Sequence, residues 1–282
     1  MINKCLFPVA GYGTRFLPAT KAIPKEMFPI LNKPLLQHAV EEALSAGIVN
    51  MAMVTGRGKR AVEDHFDNSF ELEAQLKNTP KEHYLNEIKS VIENVSFSYV
   101  RQKKMLGLGN AISTGKTLIG NEAFAVILPD DLCVNTGESV INQMVKLHNK
   151  FSDCCIVAVE EVSQSEVSNY GIVEIESIQK NSLKNENNLF RVSRMIEKPS
   201  LGQTKSNLAI IGRYILTSEI FDILDKTLPD SNGEIQITDA LMKLAKKGKV
   251  IAYKYSGKRF DCGTVKGFVV ATNHFAKVEG LI

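Results

Sequence analysis

Three short clusters in this chain carry residue types that handle phosphates, sugars or metal ions. The first follows the apolar run Lys4 to Val9 and reads Ala10-Gly11-Tyr12-Gly13-Thr14-Arg15. A buried strand that feeds a glycine loop leaves free backbone N–H groups able to surround a phosphate. Arg15, Lys21 and Lys25 come next, and three cations beside one such loop suit a polyphosphate. Pro18, Pro24 and Pro29 stiffen the stretch through fixed φ angles rather than helix hydrogen bonds. A dinucleotide fingerprint needs a small third residue where this chain has Phe16, so an NAD or FAD site is disfavoured.

The second cluster is Asp130-Asp131, at the end of the apolar run Phe124 to Leu128, where open α/β sheets place their ligands. Magnesium takes hard oxygen ligands and is usually held by one or two carboxylates plus substrate phosphates. Asp261, in Arg259-Phe260-Asp261-Cys262-Gly263-Thr264, is a further carboxylate at a turn after a strand-like run. Each of these aspartates also suits a plain turn or helix cap. The third cluster is Glu197-Lys198-Pro199. Pro199 ends the preceding strand and predicts an extended Lys198, so that both charged side chains project from a rigid edge. A fourth stretch, Gly109 to Thr117, imitates a P-loop. Its register is off by one, with Asn110 where the first glycine should stand, and Lys116 reads as a solvated helix residue.

The elements that must position these clusters alternate regularly. Strands are expected at Lys4 to Val9, Val49 to Val54, Val95 to Val100, Phe124 to Leu128 and Cys154 to Val159. Helices are expected over 35–46, closed by Gly47, and over 110–118 and 140–151. Strand, helix and strand of these lengths form right-handed βαβ units and a parallel sheet. Residues 59 to 93 read as a charged helical insertion with no assigned place. From 171 onward the runs 171–176, 189–196 and 208–216 indicate a more antiparallel lobe, split by a polar loop at 179–188. Helices at about 217–226, 236–247 and 265–277 and a strand at about 249–255 complete the chain. No internal repeat stands out.

Composition narrows the class. The 282 residues are 44% hydrophobic and 23% charged, which suits one large or two fused small globular units. The net charge of +3 is spread without a basic stripe, so nucleic acid is not expected as a partner. The five cysteines lack CxxC spacing and read as small buried hydrophobes of a cytoplasmic protein. No apolar run reaches the length of a membrane span or a signal segment.

Taken together, the motifs resemble those of the sugar 1-phosphate nucleotidyltransferase family. The signature G-x-G-T-R-x-x-P stands here as Gly11 to Pro18, followed by Pro24-Lys25-Glu26-Met27. The likeness extends over nearly the whole chain through RQ at 101–102, ILPDD at 127–131, NYG at 169–171, EKP at 197–199 and DCG at 261–263. Phe28 replaces the usual Leu, and Asn110 the usual His. The resemblance implies a Rossmann-like, doubly wound mixed α/β sheet with a sugar-binding lobe and C-terminal helices. It implies a nucleotide-binding half over 1–150, a sugar-phosphate half over 151–260 and an oligomer-forming helix over 261–282, within one compact domain.

Its members that use UTP and glucose 1-phosphate are the most similar, which implies UDP-glucose and pyrophosphate as products and Mg²⁺ as cofactor. Carried over by position, Ala10, Gly11, Gly13, Thr14 and Glu26 would bind the nucleotide, with Gln102 and Gly107 at the uracil edge. Arg15 and Lys25 would hold phosphates, Asp130 and Asp261 the metal, and Gly171, Glu197 and Lys198 the sugar phosphate. The same motifs would serve dTTP or another sugar 1-phosphate if the base contacts are permissive. A non-catalytic nucleotide-sugar-binding subunit is the reading from another class, and the intact charged set speaks against it. A homodimer or homotetramer is implied.

Overall fold

The computed structural model describes residues 2–176, 188–200 and 202–282, without the side chains of Glu87 and Ile88. The expected polar loop at 179–188 lies outside the described residues except for Asn188. β1 (Lys4–Pro8) opens the chain, and after three single 3₁₀ turns a small hairpin pairs β2 (Pro29–Ile30) with β3 (Lys33–Pro34). Next come α1 (Leu35–Ser45) and β4 (Asn50–Thr55). The charged insertion folds as α2 (Arg60–His65), α3 (Phe70–Leu76) and α4 (His83–Asn94), and β5 (Ser96–Arg101) follows. The middle of the chain holds α5 (Gly107–Thr114), α6 (Lys116–Ile119), β6 (Phe124–Ile127), β7 (Asp131–Val134), α7 (Val140–Lys150) and β8 (Cys155–Glu161). Then come β9 (Gly171–Glu176), β10 (Leu189–Glu197), β11 (Leu208–Leu216), α8 (Glu219–Leu224) and α9 (Ile237–Ala245). β12 (Val250–Lys254), β13 (Lys258–Asp261) and α10 (Val265–Val278) end it.

Nine strands form one mixed sheet in the order β5-β4-β1-β6-β11-β8-β12-β10-β9. The β5-β4-β1-β6 block is parallel throughout, and β12 lies parallel to β8. β11 runs antiparallel to both β6 and β8 and also touches β9. Strand side chains alternate between two cores. Leu6 faces one core with Ile112 and Ile119 and with Phe221 and Leu241 from α8 and α9. Cys5 and Phe7 face the other, with Leu36 and Val40 of α1 and Ile141 and Met144 of α7. Covering both faces explains why these strands read as continuous apolar runs. Within the insertion, α2 and α4 bury Val62 and Val91 in the second core, whereas α3 buries nothing.

Two elements differ from the sequence reading in ways that matter to the site. The single helix expected over 110–118 is broken into α5 and α6 at Gly115, where a side chain would collide with Leu6 beneath it. Asp131 does not end a strand but begins one. β7 pairs antiparallel with β13 so that Asp131 stands opposite Asp261. A third, smaller core of Leu132, Phe260, Ile30, Leu35 and Ala271 packs α10 against this ribbon. No helix among the described residues is long and apolar enough to cross a membrane.

Candidate active site

The glycine loop leaves β1 at the carboxyl edge of the sheet, anchored by Val9 N–H donating to the Val54 carbonyl at 3.0 Å. Gly13 takes the left-handed conformation at φ 65°, ψ 38°, and a Cβ there would press on Thr20 and Lys25 at 3.1 Å. Only glycine suits both demands. The prolines punctuate consecutive 3₁₀ turns over Thr14–Phe16, Ala19–Lys21 and Lys25–Met27, so the loop holds its shape without a helix. Lys25 ends up with its Nζ 2.6 Å from Asp130 Oδ2. Lys21 is exposed and lines neither cavity described below, so the expected trio of cations reduces to Arg15 and Lys25.

Two cavities open side by side here. The first, of about 380 Å³, is lined by Ala10, Gly11, Gly13, Thr14, Lys25, Glu26, Gln102, Gly107 and Asp130. Gly107 reaches it at φ 85°, with its Cα side pressed so close to Glu234 that a Cβ would sit 2.9 Å from it. Gln102 is buried; its backbone N–H donates to the Thr55 carbonyl and its Nε2 donates to Asn110 Oδ1 at 2.8 Å. Thus Asn110, which replaces a histidine in the family motif, holds the Gln102 amide. Glu26 is 1% exposed, pairs through Oε2 with Lys59 Nζ at 2.6 Å, and has no hydrogen-bond partner on Oε1 among the described residues.

The second cavity, of about 450 Å³, shares Asp130 with the first and is lined by Arg15, Gly171, Glu197, Lys198 and Asp261. Glu197 closes β10 opposite Gly171, and its Oε2 accepts from Thr238 Oγ1 at 3.1 Å. Lys198 corrects the sequence reading. It is not extended but left-handed, with φ 42°, held there by its N–H donating to the Tyr170 carbonyl at 3.0 Å. A non-glycine residue in this region costs about 1–3 kcal/mol, and the cost is borne where the side chain faces a cavity. Its Nζ stays 3.5 Å from Glu197 and about half exposed, free to swing to an anion.

Two residues of this wall, Tyr170 and Arg259, stand beside the motif residues but were given no role by the sequence. Arg259 donates through Nε to Asp131 Oδ1 and through Nη1 to Glu160 Oε1, each at 2.6 Å, and its guanidinium lies 5.0 Å from the Tyr170 ring centroid. Tyr170 in turn points its hydroxyl at Asp261 Oδ2, 3.5 Å away. Asp131 accepts a further bond from Gly212 N–H, so both its oxygens are committed to structure. Asp130 differs. Burial works to raise its pKa, but the charge and hydrogen bond of Lys25 outweigh it and hold the carboxyl below the usual range. For Lys25 the signs reverse: burial lowers the ammonium, and Asp130 with Glu26 raises it further, above the ordinary lysine value. The available signal for Arg259 was its place two residues before Asp261 of the DCG motif.

Whether the donors suit a divalent cation is tested by Gly263. A Cβ on that glycine would stand 3.0 Å from Asp130 Oδ2 and 3.0 Å from Asp261 Oδ1, with Arg15 Nη1 at 3.5 Å. Two carboxylates thus face one small gap that the missing side chain leaves open. No group of three or more acidic, histidine or cysteine residues suited to a metal occurs among the described residues. Two oxygen donors next to a phosphate loop fit an ion that completes its shell with water and substrate phosphate, as magnesium does. The P-loop imitation does not contribute: Lys116 pairs with Asp222 and Asp225 at 3.3 Å on the surface. All five cysteines are free.

Residues 8–278 match the model of a family described as nucleotidyl transferase. A UTP–glucose-1-phosphate uridylyltransferase of Pseudomonas aeruginosa is 59% identical over 274 residues, covering 97% of this chain and 95% of its own length. A crystal structure of apo UDP-glucose pyrophosphorylase superposes with a TM-score of 0.92 at 55% identity, covering 99% of this chain and 100% of the other. A UDP-glucose pyrophosphorylase complexed with UDP-glucose gives a TM-score of 0.89 at 54% identity, covering 98% and 99% of the two chains.

Proposed function

The chain belongs to the nucleotidyl transferase family, and from that premise we propose that it joins UTP to glucose 1-phosphate, giving UDP-glucose and pyrophosphate. The observation that carries the reading is the pair of adjacent cavities with Asp130 in the wall of both. The first takes the nucleoside triphosphate: Gln102 and Gly107 face the base, Ala10, Gly11 and Glu26 the nucleoside, and Gly13, Thr14 and Lys25 the phosphates, with Arg15 reaching them from the wall of the second cavity. The second takes the sugar phosphate, with Gly171 and Glu197 on hydroxyls and Lys198 on the anion.

An anionic oxygen of glucose 1-phosphate attacks the α-phosphorus of UTP in line. The bond from that phosphorus to the bridging oxygen breaks, and pyrophosphate leaves with the electron pair. The nucleophile is already charged, so neither a covalent intermediate nor a general base is needed. What opposes the reaction is repulsion between two polyanions and charge build-up on the leaving group. Lys25 and Arg15 neutralise the triphosphate, while Lys198 draws the sugar phosphate toward it; positioning and fixed positive charge supply the rate. Asp130 and Asp261 would hold Mg²⁺, which would add neutralisation at the phosphate oxygens. The commitment of both Asp131 oxygens supports Asp130 as the ligand on β7's approach. Until substrate arrives, the Lys25–Asp130 pair keeps both charges satisfied.

Residues 1–150 supply most of the nucleotide side, 151–260 most of the sugar side. Exposed Val265, Val269, Val270, Val278, Leu281 and Ile282 support assembly into a dimer or tetramer through the last segment, 261–282. Free thiols support a reducing, cytoplasmic setting. The test is pyrophosphate release by purified protein with Mg²⁺, glucose 1-phosphate and UTP, dTTP or CTP in turn. UTP should give the highest kcat/KM, and failure with every triphosphate would refute the reading.

A further inference from the structure

Glu26 presents an unsettled account inside the first cavity's wall. One carboxylate oxygen is bound by Lys59, and the other is buried without a partner among the described residues. A bare, desolvated acceptor is costly unless a donor reaches it. Glu26 lines the cavity, and that is where a donor can come from. Lys59, by contrast, is absent from the lining. It is 5% exposed at the end of the loop Gly56-Arg57-Gly58-Lys59, which leaves β4 and caps α2, so it approaches Glu26 from behind. The other nearby ammonium, Lys25, is committed to Asp130.

We propose that Lys59 is a positioning residue for nucleotide recognition: by binding Glu26 Oε2 it aims Oε1 as an acceptor at a hydroxyl or N–H of the bound nucleoside. This rests on the reading that the cavity takes the nucleoside. Lys59 never touches the ligand. Burial alone pushes the Glu26 carboxyl above its usual range, against the pull of Lys59 and Lys25. Without the Lys59 ammonium, the neutral acid is favoured, and it would offer a proton where an acceptor is needed.

The test is a cycle of Lys59→Met, Glu26→Gln and the two combined, read by melting temperature, UTP titration and the KM for each substrate. Each single change should raise the KM for UTP about tenfold or more while moving that for glucose 1-phosphate less than about twofold. The double variant should be no worse than Glu26→Gln, and Lys59→Arg should recover most of the loss. Additive losses would overturn the proposal, because Lys59 would then act on the nucleotide by itself. If Lys59→Met fails to fold, the neutral double variant decides at a near-normal melting temperature: UTP binding weakened no further than in Glu26→Gln supports the role, a further loss overturns it, and undiminished binding makes the pair merely structural. Wild-type protein that neither binds UTP nor forms a nucleotide sugar would instead refute the cavity's assignment, a separate outcome.

Discussion

The two cavities are walled by different means. Around the first, the chain itself makes the surface: a proline-stiffened loop, left-handed Gly13 and Gly107, and backbone N–H groups set at fixed angles. Around the second, side chains from distant segments hold each other through charge, with Arg259 gripping Asp131 and Glu160, Tyr170 reaching Asp261, and Thr238 fixing Glu197. A backbone-built wall is stiff, and outside its glycines it depends chiefly on two ion pairs, Lys25–Asp130 and Lys59–Glu26. A charge-built wall depends on every partner, because removing one strands another in a dry setting.

Five substitutions press on that contrast. The largest effect is expected where the cavities meet: Asp130→Asn should abolish metal-dependent turnover while Asp131→Asn keeps some, as read by pyrophosphate release. Equal loss in both would erase the distinction between a ligand-facing and a structural aspartate. Next, Arg259→Met should cost about 3–5 kcal/mol of unfolding free energy, since it leaves Asp131 and Glu160 without their shared cation. Urea unfolding measures this, and a loss below about 1 kcal/mol would mean the second wall does not rest on charge. Arg15→Ala should lower kcat by about 10²-fold, the size of losing one preorganised charge stabiliser, with little change in melting temperature because its side chain is exposed. A loss confined to KM would remove it from the transition state. The smallest effect belongs to Lys198→Ala, which should raise the KM for glucose 1-phosphate roughly tenfold, as expected for one charge-assisted hydrogen bond, and leave that for UTP nearly unchanged. Equal shifts would mean the cavities do not divide the substrates.

The same contrast explains what the sequence disclosed. Gly11 to Met27 is contiguous, and its glycines and prolines state their backbone demands outright, so the first wall was legible before any coordinates. The βαβ alternation was legible for the same reason: strands covered on both faces are continuous apolar runs. Lys59, Tyr170 and Arg259 were not, since each matters only through a partner 33 to 128 residues away. The Asp131 strand was hidden because its partner, β13, lies far downstream and pairing leaves no local mark. Lys198 misled in the other direction. The residue before a proline usually extends, and here a hydrogen bond to Tyr170 overrides that preference.

β11 is the seam between β6 and β8, although it comes after both in the chain. The four parallel strands that precede residue 128 therefore rely, along one border, on a segment synthesised some eighty positions later. A ribosome or a protease that delivered only the early portion would release a sheet with an open row of amides and carbonyls, ready to recruit any other extended chain. Solubility of that portion should thus demand its later counterpart in the same cell, supplied in one piece or two.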